Sequence, residues 1–569
     1  MKSLYSYRYN PIVKRIFLTM LAPTILMNLT TAIGSMADTM IIGHYLDDLS
    51  LSVVTFAMPI YMVINTFAAL FAVGGCIAMS IDSGKGDKKT ANSAFSISME
   101  LLIATGIILL LTGIFAVDTV VQWLGAGETV FELTRLYARI ILVGAPIFML
   151  NMGLAFFVRN DGRPTLSMIG MFASIIVDII LNFFFVGYMG LGVAGAAYST
   201  VIGQLVSVLF IGTHFFSRKN TLRFYVTFDK TVLRIIRNGA SSALHFVYQF
   251  LTILFINNLL SKMAGANGVV VYTVVFNLAT VSLSVFEGIS QTIQPMISNY
   301  YGEKSFTNVR YTMRLALISI AIICGAVTVG LEIYPEVIPA IFGLDEAALI
   351  SASAVAVRIF ATSMIIMTVN VVIGYYLQSV EYNFMAAVII SLRCFVLFMA
   401  ATLILGSLFG MNGIWAAYTV AEGCTFLIIV IMIKWKQKKK AQAGRKVNFL
   451  LLDQEIERGI ICETYDCDKN DLAEYVSNVN KILLMQEQLE KSLCKDTTQY
   501  LSVLKTCEVG AGKLVEVEIN SMEQKVIIRD NLNHGNREKQ LQDAVSNGSI
   551  ADYGPVLGWN RMCIGKVRL

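Results

Sequence analysis

The sequence predicts an all-α polytopic membrane protein, with twelve transmembrane helices in two six-helix lobes followed by a small cytoplasmic α/β tail domain. Three observations predict this class: the apolar composition, the spacing of the apolar stretches and the sidedness of the charged loops. The 569-residue chain is 56% hydrophobic and only 15% charged, with a mean hydropathy of +0.66. Because soluble proteins are about a quarter charged, the composition argues against an ordinary soluble enzyme.

The charged residues divide the chain into two parts. About one residue in ten is charged in residues 1–434, against about 29% in residues 435–569, which predicts a membrane part followed by a soluble part. The net charge of +5 is modest, and the basic residues lie in particular loops, so we expect no nucleic-acid partner. The nine cysteines form no CxxC pair, which argues against structural zinc and secreted disulfides.

Twelve apolar stretches are long enough to cross a bilayer, whose hydrocarbon core requires roughly 20 residues of helix. They lie at residues 15–42, 51–76, 91–116, 133–157, 166–186, 193–215, 239–260, 268–290, 309–330, 352–376, 384–407 and 413–434.

The loop charges orient these spans, since Lys and Arg stay on the cytoplasmic side of a membrane. Basic residues precede span one and follow spans two, four, six, eight and twelve; examples are Lys88, Arg163, Arg223, Lys304 and Lys438. The opposite loops are acidic or neutral. The pattern predicts a multi-pass protein of the cytoplasmic (inner) membrane with both termini in the cytoplasm.

The two halves of the apolar part repeat each other. Gly86-Asp87-Lys88 after span two matches Gly302-Glu303-Lys304 after span eight, and Ala196-Ala197-Tyr198 matches Ala416-Ala417-Tyr418. Two six-helix bundles that face each other across a cavity are typical of transporters that rock between two states. The predicted domains are an N-lobe (1–216), an inter-lobe loop (217–238), a C-lobe (239–434), a basic linker (435–448) and the tail domain (449–569).

Polar residues inside the first-half spans indicate a coupling site. A carboxylate at the bilayer centre costs roughly 2.5–3.5 kcal/mol on insertion scales, yet Asp38 lies in span one and Asp178 in the middle of span five. The spacing of four places Asn182 on the same helix face as Asp178, and Thr200 in span six adds a hydroxyl. Such oxygen ligands suit a proton or Na⁺. The alternatives are that Asp38 is solvated at the outer interface and that Asp178 makes a structural hydrogen bond.

The second half contains possible counterparts. Glu287 in span eight and Glu422 in span twelve are candidates for direct function, and either of them can instead pair with a neighbour such as Arg393.

Several of these features resemble the multidrug and toxic compound extrusion (MATE) family. The resemblance covers about residues 10–435 and rests on Pro23, Asp38 and residues 84–87, 157–164 and 294–302, which read GKGD, FVRNDGRP and QPMISNYYG. It implies two six-helix lobes and the export of cationic or amphipathic compounds in exchange for Na⁺ or H⁺. In many members of this family, a span-one Asp forms the cation site together with two residues of span five, an Asn followed four positions later by an Asp. Here the order along span five is reversed, Asp178 and then Asn182, which moves the charge by one helical turn.

The tail has a different pattern. Residues 513–519 and 524–529 predict a hairpin of alternating strands, and residues 471–495 predict a helix. With the Asp530–Asn533 loop and the Leu-Gly pair at 557–558, the tail resembles the histidine-kinase-type ATP-binding fold in its anti-sigma-factor-like form. Leu532 stands where that family has a Gly, and Lys505 and Val509 stand where it has Glu and Asn, which removes the oxygen ligands of Mg²⁺. We therefore expect no ATP binding and instead a regulatory or structural module that contacts a cytoplasmic protein.

The sequence thus favours a monomeric, cation-coupled antiporter for organic compounds, which is not an enzyme and carries no cofactor. One alternative is a lipid-linked oligosaccharide flippase, whose cavity is expected to contain several basic residues, whereas only scattered ones such as Arg393 are present. The other is a sensor kinase, which requires a phosphorylated histidine between membrane and tail. The four histidines are His44, His214, His245 and His534, and none lies there.

Overall fold

The computed structural model describes residues 10–46, 48–125, 127–225, 230–263, 265–341, 346–466, 472–486, 489–504, 513–532 and 552–565. They form a helical membrane domain and a tail built on one β-sheet.

The first lobe contains six long helices and one short connecting helix. They are α1 (Pro11–Tyr45), α2 (Asp48–Lys85), α3 (Lys88–Phe115), the short α4 (Val117–Trp123), α5 (Glu128–Asn160), α6 (Pro164–Asn182) and α7 (Gly192–Gly212). The helices extend beyond the apolar stretches because polar caps satisfy their ends. Asn10 accepts hydrogen bonds from the backbone of Ile12 and Val13, and Asp87 caps α3 through the backbone N–H of Thr90.

The second lobe is built from more interrupted helices. They are α8 (Thr231–Met263), α9 (Gly265–Glu303), α10 (Phe306–Ser319), α11 (Gly325–Ile333), the short α12 (Val337–Ile341), α13 (Ala347–Ala361), α14 (Met364–Ser379), α15 (Asn383–Ser391) and α16 (Leu397–Gln442). A π-helical turn joins α10 to α11, and another joins α15 to α16. The pair α13 and α14 is bent by 45° and forms one broken span.

The last helix, α16, folds back on itself at Gly410. This residue has φ 60° and ψ −139°, a conformation that L side chains rarely adopt. The rings of Phe398 and Tyr418 are 4.5 Å apart, whereas twenty residues of straight helix span about 30 Å. Residues 383–442 therefore contain two antiparallel spans.

The described residues form twelve segments that can cross a membrane. Ten helices are long and apolar enough to cross a membrane and the bent pair is an eleventh; the fold-back at Gly410 adds the twelfth. Gly190, at the matching position of the first half, also has a positive φ of 66°. The predicted all-α architecture and its internal repeat are thus present in the structure.

The two lobes touch through glycines on the side of the membrane domain where the tail lies, which we call the tail side. A β carbon at Gly84 of α2 would lie 2.1 Å from the Asn299 carbonyl oxygen of α9, and one at Gly302 would lie 2.1 Å from that of Ile81. Deeper in the membrane domain, between α2 and α8, a β carbon at Gly239 would lie 1.8 Å from the Leu70 carbonyl oxygen. The absence of side chains here lets the backbones of the two lobes close against each other.

The tail contains a five-stranded antiparallel sheet in the order β1-β2-β3-β5-β4. The elements are α17 (Gln454–Arg458), β1 (Ile460–Asp466), α18 (Leu472–Met485), α19 (Lys491–Leu504), β2 (Leu514–Asn520), β3 (Lys525–Asp530), β4 (Asp552–Val556) and β5 (Trp559–Gly565). The predicted hairpin is β2–β3.

The single helix predicted for residues 471–495 was wrong. Two helices form instead, because Leu489 in the connection between them is buried in the tail core with Leu483 and Leu493. Lys505, Val509, Asn533 and His534 lie outside the described residues.

Candidate functional site: a carboxylate pair in the first lobe

The structure brings together Asp38 of α1 with Asp178 and Asn182 of α6. The Asn182 side-chain N–H donates to one carboxylate oxygen of Asp38 at 3.0 Å and to one of Asp178 at 3.2 Å. Asp178 and Asn182 are 6% and 0% exposed. The spacing of four residues predicted this shared face of α6, but which residue of α1 meets it is set by tertiary packing.

Small residues allow the helices to approach the site closely. A β carbon at Gly34 of α1 would lie 2.8 Å from Ile175 of α6, and one at Gly203 of α7 would lie 3.1 Å from the β carbon of Asp178. Three helices therefore converge on the Asp178 carboxylate.

The third helix, α7, contributes the predicted Thr200 and one residue that the sequence analysis missed, Ser199. Their hydroxyls donate to the Ala196 carbonyl oxygen at 3.0 and 2.7 Å, and both side chains interact with Asp178. Each hydroxyl oxygen therefore still has lone pairs to offer to an ion.

A pair of tyrosines also lies within electrostatic range of the two carboxylates. The hydroxyls of Tyr61 in α2 and Tyr137 in α5 are 3.1 Å apart, and both interact with Asp38 and Asp178. Sequence reasoning missed them because tyrosines within apolar runs look like ordinary packing residues.

The chemistry of this cluster favours one small cation. Two ionised carboxylates that share a buried site repel each other, so a proton or a metal ion between them stabilises the pair. The Asn182 side-chain carbonyl oxygen is buried and accepts no hydrogen bond. Carboxylate, amide and hydroxyl oxygens are the ligands that hard cations prefer, and the residues present therefore suit Na⁺ as well as H⁺.

In the second lobe the structure separates the roles of the three predicted residues. Arg393 binds the Glu422 carboxylate through two nitrogens at 3.0 and 3.1 Å, and the Asn370 amide donates to Glu422 at 2.7 Å. Glu422 thus has the paired role that the sequence allowed as an alternative to direct function.

Glu287 lies on a cavity between the lobes. Its carboxylate is 3.5 Å from His245, and Met152 and Phe156 of the first lobe line the same cavity with Tyr375 of the second. His245 and Arg393 also line this cavity, but Glu422 neutralises Arg393. The Glu287 carboxylate, among aromatic and apolar side chains, therefore suits an organic cation.

Two helical lobes that meet on one side of the membrane, with a buried acidic cluster and an inter-lobe cavity, define a membrane transporter rather than an enzyme. The MatE family model matches residues 23–184 and 239–404, which is more than half of the chain. The chain belongs to the MatE family.

Relatives and solved structures cover the membrane domain. The multidrug export protein MepA of Staphylococcus haemolyticus is 25% identical over 422 residues, which cover 73% of this chain and 92% of that protein. MepA of Staphylococcus aureus is 23% identical over 437 residues, covering 76% of this chain and 96% of its own. A multidrug resistance MATE family transporter of the MOP superfamily, solved in an outward-facing conformation, superposes with a TM-score of 0.69 at 21% identity, over 75% of this chain and 96% of its own. The structural likeness shows the shared fold.

Proposed function

We propose that this protein is a cation-coupled antiporter that exports organic, cationic or amphipathic compounds by alternating access. The observation that carries the proposal is the pair of carboxylates, Asp38 and Asp178, joined by one Asn182 amide. The two multidrug export relatives support the substrate class.

Ion binding and substrate binding are coupled because each ligand favours a different arrangement of the two lobes. A cation at Asp38 and Asp178 favours one arrangement, and an organic cation at the inter-lobe cavity favours the other. A ligand shifts such an equilibrium only by its differential affinity for the two states. The acidic site therefore returns the lobes to the state that accepts the next substrate.

We propose that the tail side is cytoplasmic. Lys85, Lys88, Arg163 and Arg310 lie at the helix ends and loops of this side, as the retention of Lys and Arg in the cytoplasm predicts.

Transport in proteoliposomes tests the proposal. Uptake of a fluorescent organic cation is measured under separately imposed Na⁺ and pH gradients, with Asp38→Asn, Asp178→Asn and Asp118→Asn variants. Asp118 is the matched control because it is an aspartate of the same lobe, on the short α4, whose side chain is 55% exposed. We expect one of the two gradients to drive uptake by wild type and Asp118→Asn but not by the other two variants. Gradient-driven uptake by Asp178→Asn at the wild-type rate would contradict the proposal.

A flippase remains the second candidate and is less well supported. Arg393 is the only basic residue other than His245 among the described residues that line the inter-lobe cavity, and Glu422 already neutralises it. A pyrophosphate-linked lipid would meet little uncompensated positive charge there.

A further inference from the structure

The tail domain lies across both lobes, and its sheet explains how. Side chains alternate between the two faces of a strand. Val515, Val517 and Ile519 of β2 pack into the tail core with α18 and α19, so Glu516 and Glu518 point to the opposite face. Although polar, these two glutamates are 0% and 1% exposed, because the membrane domain covers that face.

We propose that the tail is an intramolecular latch that joins the two lobes and holds the tail-side entrance of the transporter closed. This inference rests on the proposed alternating access, because a latch regulates only a protein whose lobes separate on that side.

Arg561 of β5 provides the central contact of the latch. Its guanidinium lies 2.7 Å from the Glu303 carboxylate at the end of α9, in the second lobe. It also donates to the backbone carbonyls of Gly84 at 2.7 Å and Ser83 at 3.1 Å, at the end of α2 in the first lobe. One side chain, 1% exposed, thus bonds both lobes.

Other contacts attach the tail to each lobe separately. On the first lobe, Lys88 pairs with Asp552 at 3.0 Å. On the second lobe, Lys304 pairs with Glu523 at 2.7 Å. Arg529 of β3 also reaches Glu303 and pairs with Glu516 at 3.0 Å, so the buried carboxylate of the second lobe is held by two arginines.

The latch lies at the point where the lobes must part. Gly84 and Gly302, next to the Arg561 contacts, are the glycines whose backbones meet across the lobes. When α2 moves away from α9, Arg561 can follow only one of them. Its buried hydrogen bonds to the other lobe must then break or the sheet must leave the membrane domain, and a buried group that loses its partner is strongly disfavoured.

The experiment uses the full chain in proteoliposomes with Ser80→Cys as a reporter. Ser80 of α2 is 5% exposed. Its hydroxyl accepts a hydrogen bond from Asn160 of α5, and its carbonyl accepts one from Asn299 of α9, so we expect residue 80 to become more accessible to the reagent when α2 and α9 part. A membrane-impermeant maleimide is supplied to the tail side, and alkylation of residue 80 is measured by mass spectrometry, which distinguishes it from the native cysteines.

Arg561→Ala is compared with Lys304→Ala, which removes a tail contact to one lobe only. We expect Arg561→Ala to raise the alkylation rate at residue 80 on the order of tenfold, a typical coupling between sites. We expect Lys304→Ala to leave it within about twofold. Glu303→Gln changes the membrane-domain partner of Arg561 and keeps the tail sequence intact. It should also raise the alkylation rate at residue 80.

Equal alkylation of wild type, Arg561→Ala and Glu303→Gln, with tails equally resistant to limited proteolysis, would overturn the latch. If Arg561→Ala loses its protease resistance, Glu303→Gln alone decides the outcome. Alkylation does not depend on ion coupling, so the latch is tested independently of the Asp178→Asn transport assay. If Asp178→Asn transports at the wild-type rate while Arg561→Ala and Glu303→Gln raise alkylation, the coupling proposal is overturned and the contact of the tail with both lobes still stands.

Discussion

Docking of the tail should weaken as the pH rises, because a buried carboxylic acid lies in the interface. The pKa of Glu518 is raised from 4.5 to about 7, chiefly by burial. The negative charges of Glu516 and Glu303 also raise it, and Arg529 and the Ser305 hydroxyl lower it. These groups face Glu518 from β2, β3, the end of α9 and the loop after it. The docked tail therefore binds a proton that a solvated Glu518 releases.

The raised pKa of Glu518 stabilises the docked state at low pH. This contribution to the free energy of docking falls as the pH rises from about 4.5 to about 7, and above pH 7 docking no longer changes with the ionisation of Glu518. Each pH unit within this window is worth at most about 1.4 kcal/mol, a tenfold change in the ratio of undocked to docked tail. Between pH 5.5 and 7 the ratio should rise by up to about thirtyfold.

Zero-length carbodiimide cross-linking measures docking directly. Lys304 and Glu523 lie 2.7 Å apart, and the yield of their cross-link reports the docked fraction. Glu518→Gln, which cannot ionise, is the matched control, and comparing the two proteins at each pH cancels the pH dependence of the reagent. We expect their yields to agree at and below about pH 4.5, where a solvated Glu518 also keeps its proton, and that of wild type to fall below the variant's near pH 7.5. Parallel pH profiles for the two proteins would refute the assignment of the proton to Glu518.

Three further predictions concern the membrane domain. Gly410→Ala should destabilise the protein by about 1–3 kcal/mol, because φ 60° with ψ −139° is strained for alanine; Gly423→Ala, a site with no atom within 4 Å of the added carbon, should change the melting temperature far less. Arg393→Met should cost about 3–5 kcal/mol, because it leaves the buried Glu422 carboxylate without its charged partner. The double variant with Glu422→Met should recover part of this loss in the same thermal unfolding measurement, and no recovery would indicate a role in packing alone. Asn182→Leu should reduce gradient-driven uptake in proteoliposomes at least tenfold while binding of the fluorescent substrate changes little, because the amide joins the two carboxylates; a parallel loss of substrate binding would contradict a role confined to coupling.

Sequence reasoning predicted what depends on composition and periodicity. The apolar stretches gave the twelve spans, and the spacing of Asp178 and Asn182 gave one face of α6. The helices nevertheless extend past the apolar stretches, since α9 continues to Glu303. Ends of this kind are set by capping and by contacts with the tail, which hydropathy does not detect.

Features that depend on contacts between distant segments were not predictable. The Tyr61–Tyr137 pair carries no local signal. The alternation of residues 513–519 predicted a strand, but it did not indicate that Glu518 is buried against the membrane domain. Glu303 was visible as part of a repeated Gly-acid-Lys motif, but the two halves use the acid differently. Asp87 caps α3, whereas Glu303 binds two arginines of the tail.

The most direct test of the coupling claim is ion release caused by substrate. An organic cation is added to the purified protein in a weakly buffered solution, and released H⁺ or Na⁺ is measured with a pH indicator and a sodium electrode. We expect release of about one ion per wild-type molecule, as reciprocal linkage between two competing ligands requires, and none from Asp178→Asn. Tight substrate binding by wild type without release of either ion, or equal release by the variant, would contradict it.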